Sequence, residues 1–126
     1  FLIMAIPETS STKGIIGEED LRMLKPSCFL LNPARGPLIQ EQALTKALDK
    51  GWIAGAALDT HYQYPLPNEH PFWKMKNVIL TPHISGSSAS PHFLERVWDI
   101  FYQNVVRLIK GQQLLNELST SALREN

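Results

Sequence analysis

CFLLNPARGPLIQEQALTKALDKGWIAGAALD, residues 28–59, decides the fold. It opens with CFLLN, a short apolar run of the kind that forms a buried strand. QEQALTKALDKG follows, with Ala43, Leu44, Ala47 and Leu48 on one helical face and Gly51 placed to close the helix. WIAGAALD then returns to a small, apolar strand. Strand, helix and strand in this order predict two parallel strands joined by a right-handed crossover.

The flanks extend the alternation. FLIMAI, residues 1–6, is a continuous apolar run, expected as a parallel strand covered on both faces. PETSSTKG is a polar loop. GEEDLRMLK, residues 17–25, has acids in its first turn and Lys25 at its end, a short helix matched to its dipole and stopped by Pro26. YQYPLPNEHPFWKMK, residues 62–76, is too rich in proline and polar residues for a regular element, and NVILTPH, residues 77–83, is a fourth strand. From Ser90 to Gly111, Phe93, Val97, Ile100, Phe101, Val105 and Leu108 recur at helical spacing. Ser90 can cap that helix, with Pro91 at its first position. The residues beyond it are expected to fray. The fold class is therefore α/β: part of a parallel sheet of about four strands, with flanking helices and a long C-terminal helix.

Composition narrows the function. The 126 residues suffice for one modest domain, and Lys+Arg and Asp+Glu are 12 each, so the net charge is zero. That gives no electrostatic case for nucleic acid or an anionic membrane surface. No apolar run approaches the roughly 20 residues of a membrane span. FLIMAI has neither a basic lead-in nor a small-residue cleavage site, so it is not read as a signal peptide. The single cysteine, Cys28, excludes an internal disulfide, suits a reducing, cytoplasmic setting, and is expected to be a small buried hydrophobe. Phe1 stands inside what reads as a strand, so the chain is expected to be a piece of a longer protein.

In parallel sheets, ligands bind beyond the carboxyl ends of the strands. Three chemically able residues fall at those ends: Arg35 after the second strand, Asp59 after the third and His83 after the fourth. Alone, Arg35 reads as a surface ion-pair partner, Asp59 as a cap and His83 as a structural histidine. Together they suggest a site. Arg35 offers a planar fork for a carboxylate, and His83 can exchange a proton near neutral pH. A carboxylate grip beside an acid/base suits a small 2-oxo or 2-hydroxy acid, with a hydride carrier supplied from outside the protein. His61 and His70 are read as loop histidines, and no defensible spacing makes a metal site of His61, His70 and His83. Phe72 and Trp73 are expected to pack their loop onto the sheet, as Tyr62 and Tyr64 can also do.

The order and spacing of NPARGPL, GWIAGAALD and NVILTPHISG closely resemble the C-terminal half of the D-isomer-specific 2-hydroxyacid dehydrogenases, from Phe1 to about Gly111. The resemblance implies a Rossmann-type domain binding NAD or NADP, with residues 1–89 as its C-terminal half. Residues 90–126 would be a helix and tail packing back toward a substrate domain. It implies Arg35 as the catalytic arginine on the substrate carboxylate and carbonyl, and His83 as the acid/base. It implies cofactor contacts from Pro7, Thr9 and Thr12 near ribose and phosphates, from Asn32, Ala34 and Asp59 near the nicotinamide, and from Gly86 by close approach. It also implies a homodimeric, cytoplasmic oxidoreductase.

One position departs from the family. Its usual glutamate, five residues after the aspartate, is here Tyr64. A phenol can orient an imidazole but stabilises imidazolium less than a carboxylate does, so the optimum for carbonyl reduction is expected to shift toward acid. Glu69 lies nearby, but its spacing gives no reason to prefer it. The strand–GxGxxG–helix unit that grips the pyrophosphate is absent from this sequence, so the isolated chain is expected to be inactive. Tyr64 also leaves open an alternative: a non-catalytic, dehydrogenase-like dinucleotide sensor or scaffold. Substrate identity and the choice between NAD and NADP stay open.

Overall fold

The computed structural model describes residues 1–86 and 90–117, and they fall into two compact units, Phe1–Ser85 and the chain from Gly86 onward. The first holds four strands, β1 (Leu2–Ile3), β2 (Phe29–Asn32), β3 (Gly55–Leu58) and β4 (Val78–Leu80). All pair in parallel, in the order β1-β2-β3-β4. Helices α1 (Glu18–Met23) and α2 (Glu41–Asp49) connect the first three strands, as the alternation predicted.

Local chemistry sets the helix limits. The Gly17 amide donates to the Asp20 carboxylate at 2.8 Å, closing the start of α1. That helix ends at Met23, short of Lys25, so the cation in its last turn is Arg22. Arg22 and Lys46 both reach Glu18 at 2.9 Å, and the Arg22 guanidinium lies 3.7 Å over the Trp52 ring. Gly51 follows α2 with φ +66°, a left-handed conformation that glycine adopts without steric cost.

The four apolar residues of α2 are all buried, together with Leu21 of α1. They pack on Met4, Leu30, Ala56 and Leu58 to form the core. Each fully buried leucine contributes roughly 1.5–3 kcal/mol. The helices cover one face of the sheet. On the other face Ile3, Phe29 and Ile79 are 58%, 47% and 66% exposed. The expectation that FLIMAI is covered on both faces therefore fails within this unit. Its ladder is also short, two residues extended by the Met4 amide donating to the Leu31 carbonyl.

The segment after β3 is mostly irregular, with one 3-10 turn at Pro71–Lys74 that the sequence did not suggest. Phe72 is buried in the core as expected. Trp73 is not: it is exposed, and its indole N–H donates to the Pro67 carbonyl within the loop. Cys28 is half-buried at the edge of the core rather than enclosed.

The second unit is built on α3 (Pro91–Ile109), with Ser90 before it. The Ser90 carbonyl, not its side chain, accepts the Phe93 amide. Asn104 exchanges two hydrogen bonds with the Leu115 backbone, at 2.7 and 3.1 Å, so residues 112–116 fold back along the helix. Of the tail expected to fray, residues 118–126 lie outside the described residues. No helix among the described residues is long and apolar enough to cross a membrane.

Candidate active site

The carboxyl ends of β2, β3 and β4 carry Arg35, Asp59 and His83. The loop after β2 is shaped by Asn32, which is 1% exposed. Its side-chain oxygen accepts the Ala34 amide at 3.1 Å, and its side-chain nitrogen donates to the Arg35 carbonyl at 2.7 Å. The Arg35 side chain is exposed, and Nη1 donates to the Ala34 carbonyl at 2.7 Å. No carboxylate among the described residues pairs with that guanidinium. It is thus free to take an anion from solution.

Asp59 is buried and fully engaged. Thr81 Oγ1 and the Ile84 amide donate to one oxygen; the Ser85 amide and Ser85 Oγ, at 2.8 and 2.6 Å, donate to the other. The successive amides of Ile84 and Ser85 form a small anion nest. Burial pushes the carboxyl up, but the hydroxyls of Ser85 and Thr81 and the two amides outweigh it and hold Asp59 well below the usual carboxylate range. Asp59 thereby shapes the turn that presents His83. That residue has φ +58°, which costs a non-glycine residue about 1–3 kcal/mol unless its neighbours hold it. The amides fixed on Asp59 belong to the two residues that follow it.

His83 Nδ1 lies 3.2 Å from the Tyr64 hydroxyl, and the two rings stack at 5.7 Å. The sequence left Tyr64 and Glu69 as possible partners; the observed one is Tyr64. The same hydroxyl accepts the His61 amide at 3.0 Å. His61 Nε2 lies 3.0 Å from the Thr81 carbonyl, so this residue joins the exits of β3 and β4. Sequence reasoning read His61 only as a loop histidine, because a histidine in a Pro-rich loop carries no periodic or spacing signal for a contact across loops.

Gly36 was also missed. A Cβ there would meet the His61 carbonyl carbon at 2.7 Å and its oxygen at 2.8 Å. Only glycine lets the loop after β2 pass that close to the loop after β3. The one available signal was its position directly after Arg35.

The other expected contacts are placed as follows. Thr12 Oγ1 accepts the Thr9 amide at 2.7 Å and donates to the Pro7 carbonyl at 2.8 Å, folding the loop after β1 into a compact turn. Ala34 is half-buried beside the core. Gly86 belongs to the second unit, and a Cβ there would meet nothing within 4 Å. His70 turns away from His83 to Glu41, with Nε2 2.8 Å from the carboxylate. Among the described residues, no three or more His, Cys, Asp or Glu side chains are grouped to hold a metal ion. Tyr62 is half-buried, and its hydroxyl has no hydrogen-bond partner among the described residues; burial raises the phenol, and the Glu41 carboxylate raises it further.

The arrangement can grip a carboxylate at Arg35 and exchange a proton at His83. A pyrophosphate-binding glycine loop is not in this sequence.

Residues 1–85 match the model of the D-isomer specific 2-hydroxyacid dehydrogenase, NAD binding domain. A glyoxylate reductase of Thermofilum pendens is 45% identical over 107 residues, covering 85% of this chain and 31% of that protein. The glyoxylate reductase of Pyrococcus furiosus is 41% identical over 112 residues, covering 89% of this chain and 32% of its own. The chain thus spans about a third of the length of the curated relatives it matches. Among solved structures, a D-isomer specific 2-hydroxyacid dehydrogenase from Xanthobacter autotrophicus Py2, in complex with NADPH and MES, superposes with TM-score 0.81 at 36% identity. That match covers 93% of this chain and 47% of the other. An NADPH-dependent glyoxylate/hydroxypyruvate reductase from Sinorhizobium meliloti, in complex with NADP and sulfate, gives TM-score 0.82 at 28% identity, covering 97% and 39%.

Proposed function

Because this chain belongs to the D-isomer specific 2-hydroxyacid dehydrogenase family, through its NAD-binding domain, we propose that the full-length protein reduces a small 2-oxo acid, with glyoxylate as the first candidate. Arg35 binds the substrate carboxylate and carbonyl through its guanidinium fork. His83 gives a proton to the carbonyl oxygen during reduction and takes one back during oxidation. Tyr64 orients His83 where the family has glutamate. The nicotinamide of NAD(H) or NADP(H), when bound, supplies or accepts the hydride. Ala34 lines its nicotinamide end, with buried Asn32 and Asp59 shaping the loops behind it, and Pro7, Thr9 and Thr12 line the ribose and phosphates.

The observation that supports this reading most is the Arg35 guanidinium, exposed at a strand end with no carboxylate of the described chain to neutralise it. A surface ion-pair role would need such a partner. We assign residues 1–89 to the back half of the dinucleotide domain and 90–126 to a segment packing toward the substrate domain. The family resemblance leads us to propose a cytoplasmic homodimer, and sedimentation of the full-length protein tests the dimer.

The deciding experiment is steady-state reduction of glyoxylate and hydroxypyruvate by the full-length protein, with NADH and with NADPH. Arg35→Ala should lower kcat/KM by about 10²–10³-fold, as loss of a charge-paired grip on a carboxylate costs roughly 3–4 kcal/mol. Wild-type protein that binds dinucleotide yet turns over no 2-oxo acid would instead favour a sensor.

A further inference from the structure

We propose that Tyr64 is a positioning residue that donates its phenolic proton to His83 Nδ1 and so keeps the other ring nitrogen, Nε2, protonated and available to substrate. The inference rests on the assignment of His83 as the acid/base, and goes beyond it by fixing where the proton sits and what holds it there.

The argument is one of donors and acceptors. The Tyr64 hydroxyl oxygen lies 3.0 Å from the His61 backbone nitrogen and 3.2 Å from His83 Nδ1. A backbone N–H can only donate, so His61 occupies a lone pair of the phenol oxygen. The phenol has one proton left to place, and Nδ1 is the acceptor within reach. Nδ1 accepts it only when bare, and in the neutral imidazole the proton then resides on Nε2.

The geometry is held from both sides. His61 Nε2 lies 3.0 Å from the Thr81 carbonyl, which can only accept, so that bond ties the Tyr64 loop to β4 two residues before His83. Asp59 fixes the two residues after His83 through the Ile84 and Ser85 amides. The Tyr64 ring lies between the two imidazoles, 5.7 Å from each centroid. No carboxylate of the described residues pairs with His83.

A hydroxyl and a carboxylate act oppositely here. A carboxylate only accepts, and selects imidazole protonated on Nδ1. A phenol donates to neutral imidazole and, by turning its O–H, accepts from imidazolium. With Tyr64 as partner, Nε2 carries a proton in both resting states; transfer from imidazolium Nε2 to the carbonyl oxygen leaves imidazole protonated on Nδ1, with the phenol accepting from it, and that transient form is the one that takes the proton back during oxidation.

The test is nitrogen NMR of the full-length protein carrying 15N-labelled histidine, with the His83 signals assigned by their loss in His83→Gln. At a pH where His83 is neutral, wild type should show Nδ1 as the unprotonated nitrogen and Nε2 as the protonated one. Tyr64→Phe, which lacks the donor, should raise the minor tautomer several-fold. Tyr64→Glu should make Nδ1–H the dominant form. Wild-type His83 protonated on Nδ1, or a tautomer balance unchanged in both variants, overturns the proposal. Neither result depends on turnover. A correct tautomer in a protein without 2-oxo acid reductase activity would refute the proposed reaction and leave the positioning role standing.

Discussion

Replacing Asp59 by asparagine tests whether the turn carrying His83 is held by charge. The carboxylate accepts four hydrogen bonds, two on each oxygen, and one of each pair comes from a backbone amide. Asparagine has one oxygen. Whichever way its amide is turned, its NH2 group faces either the Ile84 or the Ser85 N–H. The neighbouring hydroxyl, Thr81 or Ser85, can rotate to accept, but the amide cannot. One backbone donor is orphaned, at about 1–3 kcal/mol, and the bonds that survive drop from charge-assisted to neutral strength. We expect a net loss of about 3 kcal/mol. With an m-value of about 1.5 kcal/mol/M, the urea midpoint falls by roughly 2 M, read by far-UV circular dichroism.

The pH dependence carries its own sign. Asp59 is held below its unfolded value, so its contribution is complete above the ordinary carboxylate range and fades as pH falls through that range and beyond. The stability gap between wild type and Asp59→Asn should stay constant from pH 7 to about 5 and narrow only below about 4. A loss under about 1 kcal/mol, or a gap already closing between pH 7 and 5, would refute the reasoning.

Gly36→Ala forces a Cβ to within 2.7 Å of the His61 backbone, so the loops after β2 and β3 must part. It should cost about 1–3 kcal/mol in urea unfolding and lower reductase kcat/KM of the full-length protein; an unchanged midpoint would show that the approach is not tight. Tyr64→Glu restores a carboxylate beside His83 and stabilises its imidazolium. The basic limb of the pH–rate profile for reduction should move to higher pH, and an unmoved limb would count against His83 as the group that titrates.

The α/β alternation was legible because it rests on local pattern. The 3.6-residue face of α2 and the apolar runs at β2 and β3 need no tertiary information, and glycine at position 51 ends its helix as its conformational freedom allows. The strand-end rule likewise put Arg35, Asp59 and His83 at one edge. What sequence could not supply was contact across loops. His61 matters through its backbone amide, which leaves no mark on residue type, and through a ring nitrogen whose partner, the Thr81 carbonyl, lies twenty residues on. Asp59 was legible as a charged group at a strand end, but its four donors come from residues 81–85 and only the fold brings them together. The exposed face of FLIMAI was misread because an apolar run reports that a strand is to be covered, not whether this stretch of chain supplies the cover.

The loops after β2, β3 and β4 are laced in series. The Asn32 carbonyl accepts the Asp59 amide at 3.2 Å, and the Asp59 side chain in turn grips Ile84 and Ser85. Arg35 and His83 therefore sit at the two ends of one mechanical linkage rather than on independent arms. Substitutions on different loops share partners, and their free energies will not add. A change that loosens one loop has already released part of what the next would lose, so the three loops hold, or yield, as one cooperative unit.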